Sequence, residues 1–309
     1  MTDNNLYNNQ DFLRSTDISF TPMEIKENHI IPVFSKDNST LISQPDFIDA
    51  FSNTDLFCLN NASNPIVRCS HPIKGRIPSA RYKSKEELLP IEQTIYYQRI
   101  IFIYRFEQIT TSINGNEMSL IVGGVKSYHW DNLNRDINAP QHFKIFIGFQ
   151  VQVCSNLCVW TDGSILNLAV KNIDELFREI NKFINHFSAD TIANDLSMLF
   201  DYSITEQQFA KFIGRCRMYQ YLPNEVKEQI PLLDITDTQI NHVVKQYYQD
   251  NHFKAINGEI NLWSLYNLLT DATKSSYIDS FIDRNMNASI IVNSIKEHLD
   301  HKNLNYFLS

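Results

Sequence analysis

The chain is 309 residues long, 43% hydrophobic and 12% aromatic, with a formal net charge of −8. A chain of this length buries about three quarters of the surface it exposes unfolded, so it can build one large core or two modest ones and is globular rather than disordered. The acidic balance opposes general adhesion to nucleic acid. Apolar runs such as Ile100–Tyr104 fall far short of the roughly 20 residues of a membrane-spanning helix.

Residues 1–55 read as an N-terminal arm with a short helix. "MTDNNLYNNQDFLRS" lacks the basic and apolar regions of a signal peptide. His29–Phe34 is an extended patch suited to a sheet edge. "SQPDFIDAF" starts a helix, with Pro45 in the first turn and Asp46 at the positive end of its dipole.

The next segment opposes the rest of the molecule in charge. Residues 56–85 carry six bases and no acid, whereas residues 1–55 carry nine acids against three bases. The bases are Arg68, Lys74, Arg76, Arg81, Lys83 and Lys85, most of them in "HPIKGRIPSARYKSK". Pro65, Pro72 and Pro78 interrupt regular structure, which predicts a loop or short extended fragments.

Strands follow. In "IYYQRIIFIYRF" alternation puts Ile100, Phe102, Tyr104 and Phe106 on one face, and Tyr97, Arg99 and Arg105 on the other. Asn114-Gly115 predicts a hairpin turn into "MSLIVGGV", with Gly123-Gly124 read as a bulge. "FKIFIGFQVQV" has period two, with Lys144, Phe146, Gln150 and Gln152 opposite an apolar face. "LCVWTDGSILNLAV" supplies a further strand or a hairpin around Asp162-Gly163. From Asn172 the period becomes helical, in "NIDELFREINKFINHF", "ITEQQFAKFIGRCRMYQYL" with Thr205 as N-cap, "TDTQINHVVKQYYQ", "INLWSLYNLLTDA" and "SIIVNSIKEHLD". The expected class is α+β: an antiparallel sheet in the N-terminal and middle part, followed by a helical C-terminal half. The basic segment and sheet span 56–171. The helices of 172–309 pack on the sheet as one cooperative unit.

Several strings carry a resemblance. "SHPIKGRIPSA", "YYQRIIF", "GNEMSLIVGGVKSY", "FKIFIGFQVQVCSNLCVWTDG" and "TKSSYIDSFIDR" resemble an uncharacterised family of bacterial genomes and mobile elements, known only as a domain of unknown function. More distantly, Gly148–Asn156 and the helix around Trp263 and Asn267 are similar to phage/plasmid-like uncharacterised proteins. The resemblance covers most of the chain from about residue 60 onward. It implies a mobile-element setting and brings no activity, substrate or catalytic residue.

Catalytic signatures are missing: the sequence holds no GxSxG, HExxH, GxxxxGK[ST] or GxGxxG. "EIK" at 24–26 has no carboxylate partner at a nuclease spacing, and His129 and His142 have no partner visible in sequence. Five cysteines (Cys58, Cys69, Cys154, Cys158 and Cys216), odd in number and dispersed, read as reduced thiols of a cytoplasmic protein, and their spacing is irregular for zinc. No catalytic residue, metal or cofactor is expected.

The basic residues point elsewhere. Arg68, Lys74, Arg76, Arg81, Lys83 and Lys85 have the charge to grip phosphates. Tyr82, Tyr97 and Phe146, with Arg99, Arg105 and Lys144, give the mixture of aromatics and cations that single-strand binders display on a sheet face. The same charges also suit a solvated loop, and the same face suits burial under the helices. The leading expectation is a non-enzymatic nucleic-acid-associated protein that binds or anneals single-stranded DNA or RNA. The alternatives are a protein-interaction module acting as an inhibitor or decoy of a host factor and, more remotely, a nuclease. Oligomers remain open.

Overall fold

The computed structural model describes residues 11–15, 19–28, 41–131, 139–152, 154–160, 164–250, 253, 255, 257–301 and 304–309. The patch at 29–34 and the turn at 162–163 lie outside these residues. In chain order the elements are β1 (Ser19–Phe20), α1 (Pro22–Glu27), α2 (Gln44–Ser52), α3 (Asp55–Leu59), β2 (Ile66–Cys69), β3 (Pro72–Arg76) and β4 (Gln93–Tyr97). Then come the long strands β5 (Arg99–Ile113), β6 (Asn116–Ser127) and β7 (Gln141–Val151), followed by β8 (Leu157–Cys158) and β9 (Ile165–Val170). The C-terminal half holds α4 (Ile173–His186), α5 (Ala189–Met198), β10 (Ser203–Thr205), α6 (Glu206–Tyr219), α7 (Asn224–Lys227), α8 (Asp237–Gln249), β11 (Glu259–Asn261), α9 (Leu262–Thr273) and α10 (Ile278–His301). The class is α+β, as the sequence predicts.

The main antiparallel sheet runs β1-β2-β5-β6-β7-β8, with β9 also on β7. Its centre is the β5–β6 hairpin, closed at Asn114 and Gly115 with φ of 47° and 80°. Those positive values suit an Asn-Gly turn whose twist matches the flanking strands. The register continues unbroken past Gly123 and Gly124, which pair with Ile103 and Phe102, and the irregularity lies between Phe106 and Thr110. The expected bulge is thus corrected. At both glycines the reason is close approach: a Cβ on Gly123 would run into the Phe102 carbonyl and the Phe146 ring, and one on Gly124 into the Phe47 ring.

Both faces of this sheet are buried. Ile100, Phe102, Tyr104, Phe106, Val122, Ile145, Ile147 and Phe149 share one core with Phe47 and Phe51 of α2 and with most of the C-terminal helices. Phe47 meets Phe102 at 5.1 Å and Phe143 at 4.7 Å between ring centroids. On the opposite face Ile101, Ile103, Ile121, Val125 and Phe146 pack under Phe12, Leu13 and the first turns of α10, through Ile278, Phe281 and Ile282.

Caps fix where the helices begin. Ser43 and Asp46 form a capping box at α2 and Thr205 and Gln208 another at α6, each satisfying two backbone donors that the first turn leaves unpaired. Glu24 closes a capping box with Thr21, and Lys26 pairs with Asp49 at 2.7 Å, which accounts for the "EIK" string structurally. Helix α10 starts well before its apolar stripe predicts. Its buried positions include Asn285, Asn287 and Ser289, which interrupt the stripe. Asn285 donates to the Thr273 hydroxyl at 3.0 Å, and Asn287 donates to the Leu232 carbonyl and accepts from Asp234 N, both at 2.8 Å or less, so the amide donors are paired inside while Asn285 Oδ1 is left without a partner.

Candidate functional site

The expected strand from Ile95 to Phe106 is two strands. Tyr97 ends β4, which pairs with β3 in a separate two-stranded ribbon, and Arg99 opens β5 of the main sheet. The break falls at Gln98, whose carbonyl accepts from Tyr128 N at 3.0 Å. Tyr97 therefore leaves the face of Arg99 and Arg105 and is buried against Phe20, with ring centroids 4.5 Å apart. Phe146 is fully buried between Gly123 and α10. Neither ring presents a face to solvent, which corrects the expectation that they form open stacking platforms.

The cations of the second sheet face are engaged by residues distant in sequence, Arg99 and Lys144 by carboxylates and Arg105 by an amide. Arg99 Nε lies 3.3 Å from Asp279, and Lys144 Nζ lies 2.5 Å from Asp283, one turn further along α10. Arg105 Nε donates to Gln150 Oε1 at 2.9 Å. Arg68 is paired with Asp11 at 2.5 Å, where the N-terminal segment crosses β2. Two members of the basic segment build the loop rather than face outward. Arg76 is buried and donates to the Arg81 carbonyl at 2.8 Å and to that of Lys83, closing the 77–83 turn around its guanidinium. Lys83 pairs with Glu92. Arg81 is half-buried within the same turn.

Lys74, Tyr82 and Lys85 remain exposed, Tyr82 at 72%. They lie on a lobe formed by β3, β4 and the intervening loop. The lobe also exposes Ile73, Leu89, Ile91 and Ile95, with Ile91 at 83%. Pairing fixes its shape: Lys74 lies opposite Ile95 and Arg76 opposite Gln93. The six-base window stops just short of Glu86, Glu87 and Glu92, so the lobe is less basic than that window and more apolar. The "LLPI" string at 88–91 carries the missed signal: apolar residues around a proline, with no periodicity to bury them.

A second polar constellation escaped the sequence reading. Lys126 is 1% exposed, and its Nζ lies 2.5 Å from Asp131 Oδ2 and 3.0 Å from the His142 carbonyl. Asp131 Oδ1 accepts from His142 N at 2.8 Å and meets His142 Nδ1 at 3.0 Å, which orients the imidazole. His129 Nδ1 is 2.5 Å from Ser127 Oγ, so neither histidine is alone. A cavity of about 320 Å³ beside them is lined by Trp130, His142, Phe143, Lys144, Asp279 and Asp283, among others. Chemically, an oriented imidazole can accept a proton here, but Lys144, Asp279 and Asp283 are already engaged in ion pairs. Among the described residues no group of three or more His, Cys, Asp or Glu is arranged to hold a metal. Burial pushes the thiols of Cys69, Cys158 and Cys216 well above their ordinary value, which keeps them protonated and unreactive.

Burial lowers Lys126 to about 8, against the partial support of Asp131. In the unfolded chain the same amine titrates near 10.4. Between those values the unfolded chain holds a proton that the folded chain has released, so stability rises with pH across this window. The full gain is about 3 kcal/mol. Urea midpoints of the parent and Lys126→Met between pH 8 and 10 should differ in slope, with only the parent gaining from this amine. Parallel pH profiles would show that Lys126 is not desolvated.

No curated protein matches the chain, and no solved structure does. One family model matches, over residues 3–308. Its span includes the lobe, the sheet and the helices alike, and on that match the chain belongs to the family described as "Domain of unknown function, B. Theta Gene description", DUF3871.

Proposed function

We propose that the protein is a non-enzymatic interaction protein that docks on a protein partner through the lobe at residues 71–97. One observation carries this reading: within residues 73–95 five large apolar side chains are exposed, Tyr82, Leu89 and Ile91 on the loop and Ile73 and Ile95 on the two faces of the ribbon, with Lys74 and Lys85 exposed among them. Large exposed apolar side chains gathered in one short segment mark contact sites, whereas singly scattered ones do not. The lysines steer and orient the encounter, and the apolar side chains hold it. A cytoplasmic location and a mobile-element setting belong to the same reading.

Nucleic acid is the second reading, favoured by the open ring of Tyr82 between cations. The two readings separate in one comparison of Leu89→Ser/Ile91→Ser with Lys74→Ala/Lys85→Ala. Docking predicts that proteins captured by the parent at moderate salt are lost with the apolar pair and kept with the lysine pair. It also predicts no binding of single-stranded DNA or RNA oligonucleotides by fluorescence anisotropy. Oligonucleotide binding that weakens with salt, with a log–log slope that falls by about 0.7 per removed phosphate contact in the lysine variant, would replace docking with nucleic-acid binding.

A further inference from the structure

We infer that β9 is a docking edge for an extended peptide of another protein, one that alternates apolar and basic side chains and adds to the main sheet as a further strand. The inference is independent of the lobe. Ile147 N donates to the Ser164 carbonyl at 3.0 Å, and the pairing runs on from Phe146 opposite Ile165 to Gln141 opposite Val170. Hydrogen-bonded pairs recur at every second residue of an antiparallel ladder. Leu166, Leu168 and Val170 therefore turn their backbone groups toward β7, while Ile165, Asn167 and Ala169 turn theirs outward. β9 pairs with β7 alone, and none of these three residues makes another hydrogen bond among the described residues.

An open edge is ordinarily blunted by brevity, charge, proline or a bulge. At the opposite end of the sheet, β1 is two residues long. β9 has none of these devices: "ILNLAV" is six residues without charge or proline, its register is continuous, and Asn167 and Ala169 are exposed. Strand addition draws affinity from main-chain hydrogen bonds and selectivity from pockets beside them. Two cavities lie beside this edge, each lined in part by β9 itself. Ile165 and Leu166 border one of about 240 Å³ with Phe183, Phe187, Ile192 and Asp195. Asn167 and Leu168 border the cavity of Trp130, His142 and Lys144. The rings of the first suit an apolar side chain, and its carboxylate suits a basic neighbour, because Asp195 has no ion partner among the described residues. In the second, Lys144 is held by Asp283, so no cation there is left to repel a basic peptide. A second copy would set two chains of charge −8 edge to edge, which favours a different, basic occupant.

The test uses the full-length chain and fluorescein-labelled peptides about seven residues long, alternating valine with lysine or valine with glutamate, read by anisotropy. The lysine peptide should bind with a dissociation constant on the order of 100 µM, at least tenfold tighter than the glutamate peptide. Asp195→Asn should narrow that preference. Only one set of alternate N–H groups can face β9. Of two lysine peptides, N-methylated at every valine or at every lysine, one should therefore lose binding about tenfold and the other keep it. Asn167→Pro removes an outward N–H and spares the ladder to β7, so it should weaken binding about tenfold with an unchanged thermal melt. Should that variant fold poorly, the methylated peptides decide the matter on the parent chain. No binding of the lysine peptide at about 1 mM, equal binding of both charge types, or equal binding of both methylated peptides overturns the inference. Self-association of the parent that a folded Asn167→Pro abolishes would also overturn it, by making a second copy the occupant.

Discussion

A chain ending near residue 190 is expected to be insoluble or molten, without a cooperative melt. Truncation there removes α9 and α10, and with the first turns of α10 part of the layer that covers one face of the sheet beside Phe12 and Leu13. Ile101, Ile103, Ile121, Val125 and Phe146 would lose Ile278, Phe281 and Ile282. The pairs Arg99–Asp279 and Lys144–Asp283 would lose their carboxylates, leaving Lys144, now 7% exposed, as a cation without its counter-charge. The N-terminal segment would lose its anchor too, since Arg14 pairs with Asp271 at 2.8 Å and its N–H donates to the Lys274 carbonyl. Exposed strand faces of this apolarity favour aggregation over a stable sheet. A truncated chain that stays soluble and melts cooperatively would show the sheet to be self-sufficient.

Trp263→Ala is expected to cost about 3–5 kcal/mol, read from the urea midpoint with an unchanged m-value. Trp263 is buried on α9, stacked on Phe200 with ring centroids 5.2 Å apart and 6.2 Å from Tyr266. Tyr266 in turn meets Trp160 at 5.5 Å, so the indole stands in a chain of rings that joins the helices to the segment after β8. Beside it Asn156 donates to the Asn267 carbonyl at 3.1 Å, a buried polar fastening that limits how far the site can collapse into the space left. Limited collapse puts the cost toward the upper part of the range. A loss below about 1 kcal/mol would mean that α9 relaxes independently of the sheet.

Much of this fold is legible in the sequence where periodicity and local chemistry agree. Period two in Phe143, Ile145, Ile147 and Phe149 places all four in one core, and Asn114-Gly115 closes the hairpin that its positive φ values favour. Thr205 caps α6 because a hydroxyl three residues before Gln208 satisfies the first-turn amides. The break at Gln98 is not legible. "IYYQRIIF" alternates straight through it, and the turn is imposed by Gln44, which donates to the Tyr97 carbonyl, and by Tyr128.

The site was harder to read, for a related reason. Arg99, Arg105, Lys144 and Gln150 alternate with apolar residues as they would on a wet sheet face, yet α10 covers that face and supplies Asp279 and Asp283 from the far end of the chain. Alternation records that polar groups share a face; it cannot say whether water or a carboxylate satisfies them. Arg76 was misleading in the same way, since nothing in "KGRIPSAR" tells a phosphate-binding guanidinium from one that holds two carbonyls of its own loop. Exposed Lys74, Tyr82 and Lys85 are what survives of the basic segment as open surface, now beside apolar neighbours that the charge pattern hid.

Hydroxyl-radical footprinting of the full chain at low concentration tests most directly whether the open surface is the lobe rather than the sheet. Rapid oxidation of Tyr82, Leu89 and Ile91 is expected, with Tyr97, Phe146 and Trp263 protected to the level of the deepest core. Oxidation of Tyr97 and Phe146 at the rate of Tyr82 would return an accessible aromatic face to the sheet and contradict docking through the lobe.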